Sequence, residues 1–293
     1  MAASTTAAPV AAGEAVDPLT IAVFGDVPYG DAQEATWGEL IDAVNHDPDV
    51  SVVTHVGDIK SGGTACTDER FATVRTAFDT FADPLVYTPG DNEWTDCHTA
   101  ESGEYVPHER LDALRRVLFS EPGRVLGGGL MQAEYQPALV ENVRWTQAQV
   151  MFATLHVVGS LNGLSPWTGL GFSTPTPRQI AEVDARVAAT LDWVDSTFDA
   201  AEDADLHGVV LIFQAPQGDI MNRIAQRTAE FDGQVLLLQG DSHTFKQDKP
   251  RGLPNLTRII VHGEALPYEY LRLVINPRNP ALFGWERVPV TPR

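Results

Sequence analysis

Four aspartates in this chain each follow a glycine at the end of an apolar run: Gly25-Asp26, Gly57-Asp58, Gly90-Asp91 and Gly240-Asp241. A fifth apolar run ends at Phe213-Gln214-Ala215-Pro216, and His243 stands two residues after Asp241. One Gly-Asp pair is an ordinary turn. Four of them closing strands form a pattern, because ligands of open α/β sheets collect in the crevice at the carboxyl ends of the strands. Carboxylates gathered in one crevice repel one another, and a bound cation is the usual remedy.

The elements that must position these turns are readable from periodicity. Apolar runs predict strands over 19–24, 51–56 and 85–88, with helical spacing over 33–45 and 68–82 between them. Pro107 opens a predicted helix over 107–119, and a strand pair follows over 143–146 and 150–158. A long helix is expected over 177–201, then strands over 208–213 and 235–239 on either side of a helix over 221–231. Residues 257–288 alternate in strand fashion, with turns at Asn276-Pro277 and Asn279-Pro280. This order predicts one layered α/β domain over 19–293. Residues 1–18, rich in Ala, Thr and Pro, predict a disordered tail that is neither a secretory signal nor a transit peptide. That tail looks like what is left after a signal peptide has been cut.

The order and wording of the turns resemble the calcineurin-like metallophosphoesterases, the superfamily that includes purple acid phosphatases. That family runs D-x-H or G-D, G-D, G-N-H-[DE], a strand-end His and then G-H-x-H. Here the blocks are Gly25-Asp26, Gly57-Asp58, Gly90-Asp91-Asn92-Glu93, Gln214 and Gly240-Asp241-Ser242-His243, spanning about 19–245. GDNEW and GDSH look like a bacterial branch of the family. The resemblance implies a four-layer α-β-β-α sandwich of two mixed sheets flanked by helices, with a two-metal site between the sheets.

Carried over residue by residue, Asp26 and Asp58 match, with Asp58 in the bridging position, and His243 matches the second His of G-H-x-H. Asp91 takes the Asn ligand position, Gln214 a His position and Asp241 the first His of G-H-x-H. Asn92 stands where the family places the His that protonates the leaving group, so a phosphate contact is its expected role. Pro28 replaces the His of D-x-H. The tyrosine of purple acid phosphatases is absent after Asp58, which argues against a redox-active Fe(III) site. The implied ligand set is therefore Asp26, Asp58, Asp91, Gln214, Asp241 and His243. Such an oxygen-rich set favours Mg, Mn or Ca over Zn or Fe, as one or two divalent ions.

With Asn92 in place of a histidine, Glu93 and His98 are the candidate general acids. The only lysines are Lys60, Lys246 and Lys249, all close to the motif turns. Lys60 and Lys246 are candidate anchors for an anionic substrate, although lysines also cluster in surface loops. Tyr29 follows the first turn and is a candidate pocket wall. His156 closes a predicted strand as a candidate site residue, whereas His55 and Trp94 fit core packing better. The two cysteines, Cys66 and Cys97, lie in polar loops; they are either separate buried thiols or a disulfide, and the disulfide is preferred. It would stabilise the fold by about 3–4 kcal/mol and calls for an oxidising, secreted or periplasmic setting.

Composition narrows the remaining classes. With 40 acidic and 20 basic residues in 293, the net charge is −20. That charge argues against nucleic acid and anionic membranes as partners, and no apolar run reaches the roughly 18 residues of a membrane span. The expectation is a metal-dependent hydrolase of small, anionic phosphate esters, in which metal-activated water attacks phosphorus. The alternatives are a degenerate, non-catalytic binding protein of the same fold and a hydrolase of a non-phosphate substrate. The sequence specifies no oligomeric state.

Overall fold

The computed structural model describes residues 17–291, so the tail expected over 1–18 falls almost wholly outside the described residues. In chain order the strands are β1 (Leu19–Phe24), β2 (Val50–His55), β3 (Pro84–Tyr87), β4 (Leu126–Gly127), β5 (Glu134–Gln136), β6 (Leu139–Gln147) and β7 (Val150–Thr154). They continue as β8 (Gly208–Ile212), β9 (Gln234–Gln239), β10 (Lys246–Asp248), β11 (Leu256–Ile260), β12 (Glu269–Ile275) and β13 (Phe283–Pro289). The main helices are α1 (Gly30–Asn45), α2 (Asp68–Phe78), α3 (Pro107–Leu118), α4 (Pro177–Asp203) and α5 (Gly218–Glu230).

The described strands form two mixed sheets, ordered β13-β12-β1-β2-β3-β4 and β10-β11-β9-β8-β7-β6-β5. Alternation decides which side chains go where. In β1, Leu19, Ile21 and Val23 face the second sheet, while Ala22 and Phe24 pack against the helices α1 to α3. In β8, Val210 and Ile212 join the same inter-sheet core, while Val209 and Leu211 pack with α4 and α5. The result is the expected α-β-β-α sandwich, with the motif turns at one end of both sheets.

Helix starts follow local chemistry. Thr176 caps α4 through its side chain, which accepts from the Gln179 N–H, while the Gln179 side chain closes the reciprocal bond and Pro177 occupies the first turn. Strand β6 is longer than the expected 143–146, and α1 and α5 each begin three residues before their expected starts; two further boundaries have readable local causes. Helix α2 stops at Phe78 and not near 82, because the amides of Thr80 and Phe81 bond three residues back, to Ala77 and Phe78. That tightened exit drops Phe81 into the core. Strand β7 stops at Thr154 and not at 158, because the chain beyond Leu155 leaves the ladder for a left-handed turn. There Ser160, Leu161 and Asn162 take φ of 49°, 56° and 57°. Arg186 of α4 pins that turn, donating to Asn162 Oδ1 at 2.6 Å and to the Asn162 carbonyl at 2.7 Å. Strands β4, β5 and β10 carried no periodic signal, being only two or three residues long.

Candidate metal centre

The carboxyl ends of β1, β2, β3, β8 and β9 converge on one crevice. The Asp26 N–H donates to the Gly57 carbonyl at 3.1 Å, and the Asp241 N–H donates to Asp26 Oδ1 at 3.0 Å, which ties the two sheets together at the site. Two glycines explain why Gly precedes Asp so regularly. Gly57 has φ +105°, open to glycine at low cost. A Cβ on Gly90 would lie 2.0 Å from Asp58 Oδ1, so only a bare backbone lets that carboxylate in. The backbone is strained where function concentrates: Asp26, Asp58, Asp241 and His243 all adopt positive φ, between 55° and 69°.

Asp26, Asp58 and His243 offer ligand atoms within 4.8 Å of one another. Asp26 is fully buried, and its Oδ2 has no hydrogen-bond partner. Burial first, then repulsion from Asp241, Asp91 and Glu93, raises the Asp26 carboxyl well above the ordinary range, against the lowering effect of the Asp241 amide. Burial also raises Asp58, with Asp91, Glu93 and Asp26 adding repulsion. The imidazole of His243 lies with Nε2 3.6 Å from Asp26 Oδ1, and its Nδ1 is 2.5 Å from Glu264 Oε2. A carboxylate behind a ligating histidine fixes its tautomer and orientation. Two buried carboxylates, one of them with an orphaned oxygen, and an oriented imidazole fit a divalent cation.

Asp91 and Asp241 stand beside this triad. Burial and repulsion from Asp96 and Asp241 push Asp91 up to about 7, and burial raises Asp241. Gln214 is fully buried and turns its Nε2 towards these carboxylates, so it faces the cluster as a donor and not as the oxygen ligand expected from the sequence. Asn92 donates through Nδ2 to Asp58 Oδ2 at 3.1 Å and to the Tyr29 hydroxyl at 2.7 Å. Tyr29 in turn donates to Asp58 Oδ2 at 2.9 Å, and its ring meets His243 edge-on at 5.4 Å. Burial and the neighbouring Asp58 keep this phenol protonated.

Several candidates named from sequence stand elsewhere. Glu93 is buried beneath the turns, where its Oε1 accepts from the Asp58 N–H, the Gly90 N–H and the Tyr87 hydroxyl. It braces the loops and does not present an acid to the crevice. His98 is nearly buried and contacts the Gly169 N–H through Nδ1. His156 is fully buried and bonds Glu141 at 2.5 Å, with Trp94 edge-on at 5.3 Å. Burial lowers the His156 imidazole; it also opposes ionisation of Glu141, but His156 and Arg115 hold that carboxyl well below its usual range. Lys246 is exposed on β10 and pairs with Asp248 at 2.8 Å. Lys60 is buried, donates to the Ser61 carbonyl at 2.9 Å, and is lowered by burial to about 8. Its charge lies under the acidic cluster and not at the crevice mouth. Cys66 and Cys97 form a disulfide, and both sulfurs lie beside the Asn92 carbonyl. The bridge therefore clamps the loop that carries Asp91 and Asn92.

Sequence reasoning missed Glu264. The signal was present: Gly263-Glu264 follows the apolar run Ile259-Ile260-Val261, a fifth glycine-acid pair after a strand. It also missed Gly159, whose N–H holds Gln214 Oε1 at 2.6 Å.

Residues 19–244 match the calcineurin-like phosphoesterase family. The chain belongs to the calcineurin-like phosphoesterases. As a calcineurin-like phosphoesterase it carries the general chemistry of metal-dependent phosphoester hydrolysis, with divalent ions and small phosphate-ester substrates. No protein of curated function matches it in sequence. Among solved structures it is similar to a dimetal phosphatase from Danio rerio, at 12% identity and a TM-score of 0.52, covering 94% of this chain and 100% of that one. It is also similar to GAP50, the anchor in the inner membrane complex of Plasmodium, at 8% identity and a TM-score of 0.49, over 94% and 90% of the two chains. A third is the 5'-nucleotidase of Candida albicans, at 10% identity and a TM-score of 0.47, over 93% of this chain and 51% of that one. At these identities the likeness extends to the fold alone. Glu264 lies beyond the matched residues.

Proposed function

We propose that this calcineurin-like phosphoesterase hydrolyses small phosphate esters with good leaving groups, in an oxidising compartment outside the cytoplasm. The observation that carries the reading is the triad of Asp26, Asp58 and His243, whose ligand atoms converge within 4.8 Å at the crevice between the sheets. A divalent cation there would supply the positive charge that phosphoryl transfer needs at its attacking and phosphoryl oxygens. Asp26 and Asp58 would hold it, and Glu264 would orient His243 towards it.

The remaining groups set what the site can do with a proton. Asn92 and Tyr29 sit against Asp58 as hydrogen-bond donors. A carboxamide can orient an oxygen but cannot give up a proton to a departing alkoxide. Leaving groups that depart as stable anions therefore suit the site best. The Cys66–Cys97 bridge supports the compartment, since disulfides persist where conditions are oxidising.

Hydrolysis of nitrophenyl mono- and diesters, set beside phenyl and alkyl phosphates with Mg, Mn, Ca and Zn added in turn, tests this. Metal-dependent turnover that falls steeply with the basicity of the leaving group is expected. A flat dependence on the leaving group would mean that a proton reaches it, from the Tyr29 phenol or from another acid. Asn92 in the acid's position also favours a second reading, a binding protein of this fold; bound metal with no turnover on any ester would select it.

A further inference from the structure

The orientation of Gln214 carries a conclusion about how many ions the centre holds. The carboxamide is anchored from behind: the Gly159 N–H, on the left-handed turn pinned by Arg186, donates to Oε1 at 2.6 Å. A backbone N–H only donates, so the oxygen must face it. The Gln214 nitrogen consequently faces the acids, 2.8 Å from Asp91 Oδ1, 3.1 Å from Asp241 Oδ1 and 3.2 Å from Asp58 Oδ2. Three carboxylates from three different turns meet on one NH2 group. That group carries partial positive charge and has no lone pair to offer a metal ion. Turning the oxygen inward would set amide hydrogens against the Gly159 N–H.

We propose that the centre is mononuclear, with one divalent ion on Asp26, Asp58 and His243 and the Gln214 carboxamide standing in for a second cation between Asp58, Asp91 and Asp241. The departure from a two-ion arrangement thus rests on one side chain and the turn that holds it. This inference rests on the metal centre described above and adds the count and position of the ion.

Equilibrium dialysis of the whole protein against Mn²⁺, with metal analysis and electron paramagnetic resonance, tests it. One Mn²⁺ per chain with the six-line spectrum of an isolated ion is expected. His243→Ala should weaken uptake at least tenfold, and Asp241→Ala should leave it within about threefold. Gln214→Glu keeps an acceptor for the Gly159 N–H and puts an oxygen where the nitrogen stood; it should bind two ions and give an exchange-coupled spectrum, as should Gln214→His. Two coupled ions in the wild type would overturn the inference and leave the metal centre standing. No Mn²⁺ on the folded wild type would overturn both. A single ion in the wild type and in both folded Gln214 variants would overturn the role given to Gln214. A single wild-type ion lost in Asp241→Ala and kept in His243→Ala would overturn its position.

Discussion

Acidification should act on the site through His55. This imidazole is fully buried at the end of β2, enclosed by Phe24, Phe78 and Tyr87. Its Nδ1 accepts from the Gly57 N–H at 3.2 Å, so the proton must sit on Nε2, which faces the Val27 carbonyl at 3.0 Å. The ring thereby joins the two loops that carry Asp26 and Asp58, and it can do so only when neutral. Burial, partly opposed by the Val27 carbonyl, lowers it from the ordinary 6.5 to about 4. A folded-state value below the unfolded one means that the folded chain binds fewer protons between these limits. The stability it contributes is present above pH 6.5 and drains away as pH falls towards 4. At about 1.4 kcal/mol for each tenfold difference in proton affinity, the loss comes to about 3 kcal/mol. Urea denaturation of wild type and His55→Gln, at steps from pH 7 to 4, reads it out, because the carboxylates common to both proteins cancel in the difference. The wild type should lose about 3 kcal/mol more than the variant across that range. Parallel curves, or a His55 imidazole that titrates near 6.5 by NMR in the folded protein, would rule out this role for His55.

Other predictions address the supports around the centre. Glu264→Gln should weaken divalent metal binding roughly 10- to 100-fold without changing stoichiometry, measured by calorimetric titration, because it removes the carboxylate behind His243. Gly159→Ala should destabilise the fold by about 1–3 kcal/mol in urea, because its Cβ would meet Asp91 Oδ2 at 2.4 Å and Asp241 Oδ1 at 2.6 Å. Cys66→Ala with Cys97→Ala opens a loop spanning a sequence separation of 31. It should cost about 3–4 kcal/mol and lower the melting temperature by roughly 5–10 °C; an unchanged melting temperature would show that the loop 91–98 holds itself.

The parts of this molecule that were legible in advance are those governed by periodicity and turn chemistry. The apolar runs at 19–24, 208–213 and 235–239 declare buried strands, and Pro177 declares the start of α4. Asp26, Asp58 and His243 were legible because each follows an apolar run at a strand end. What stayed hidden depends on tertiary direction. Glu93 and Asn92 are neighbours in sequence, yet one braces the backbone from below and the other faces Asp58. Gln214 reads as an oxygen donor until the Gly159 N–H, 55 residues away, claims its oxygen. Lys60 and His156 stand at strand ends like the ligands, but their side chains turn into the core. Glu264 carries the same glycine-acid signal as the others, but within the β-rich end, where it reads as part of the strand pattern.

The role of the centre in catalysis is tested most sharply by metal-dependent turnover of nitrophenyl phosphate by wild type and Asp58→Asn at equal, measured metal content and verified folding. Asp58 touches the crevice, Tyr29 and Asn92 at once, so wild-type activity that chelator removes and added metal restores is expected, with no turnover from the variant. Full activity in Asp58→Asn, or wild-type turnover indifferent to chelator, would contradict it.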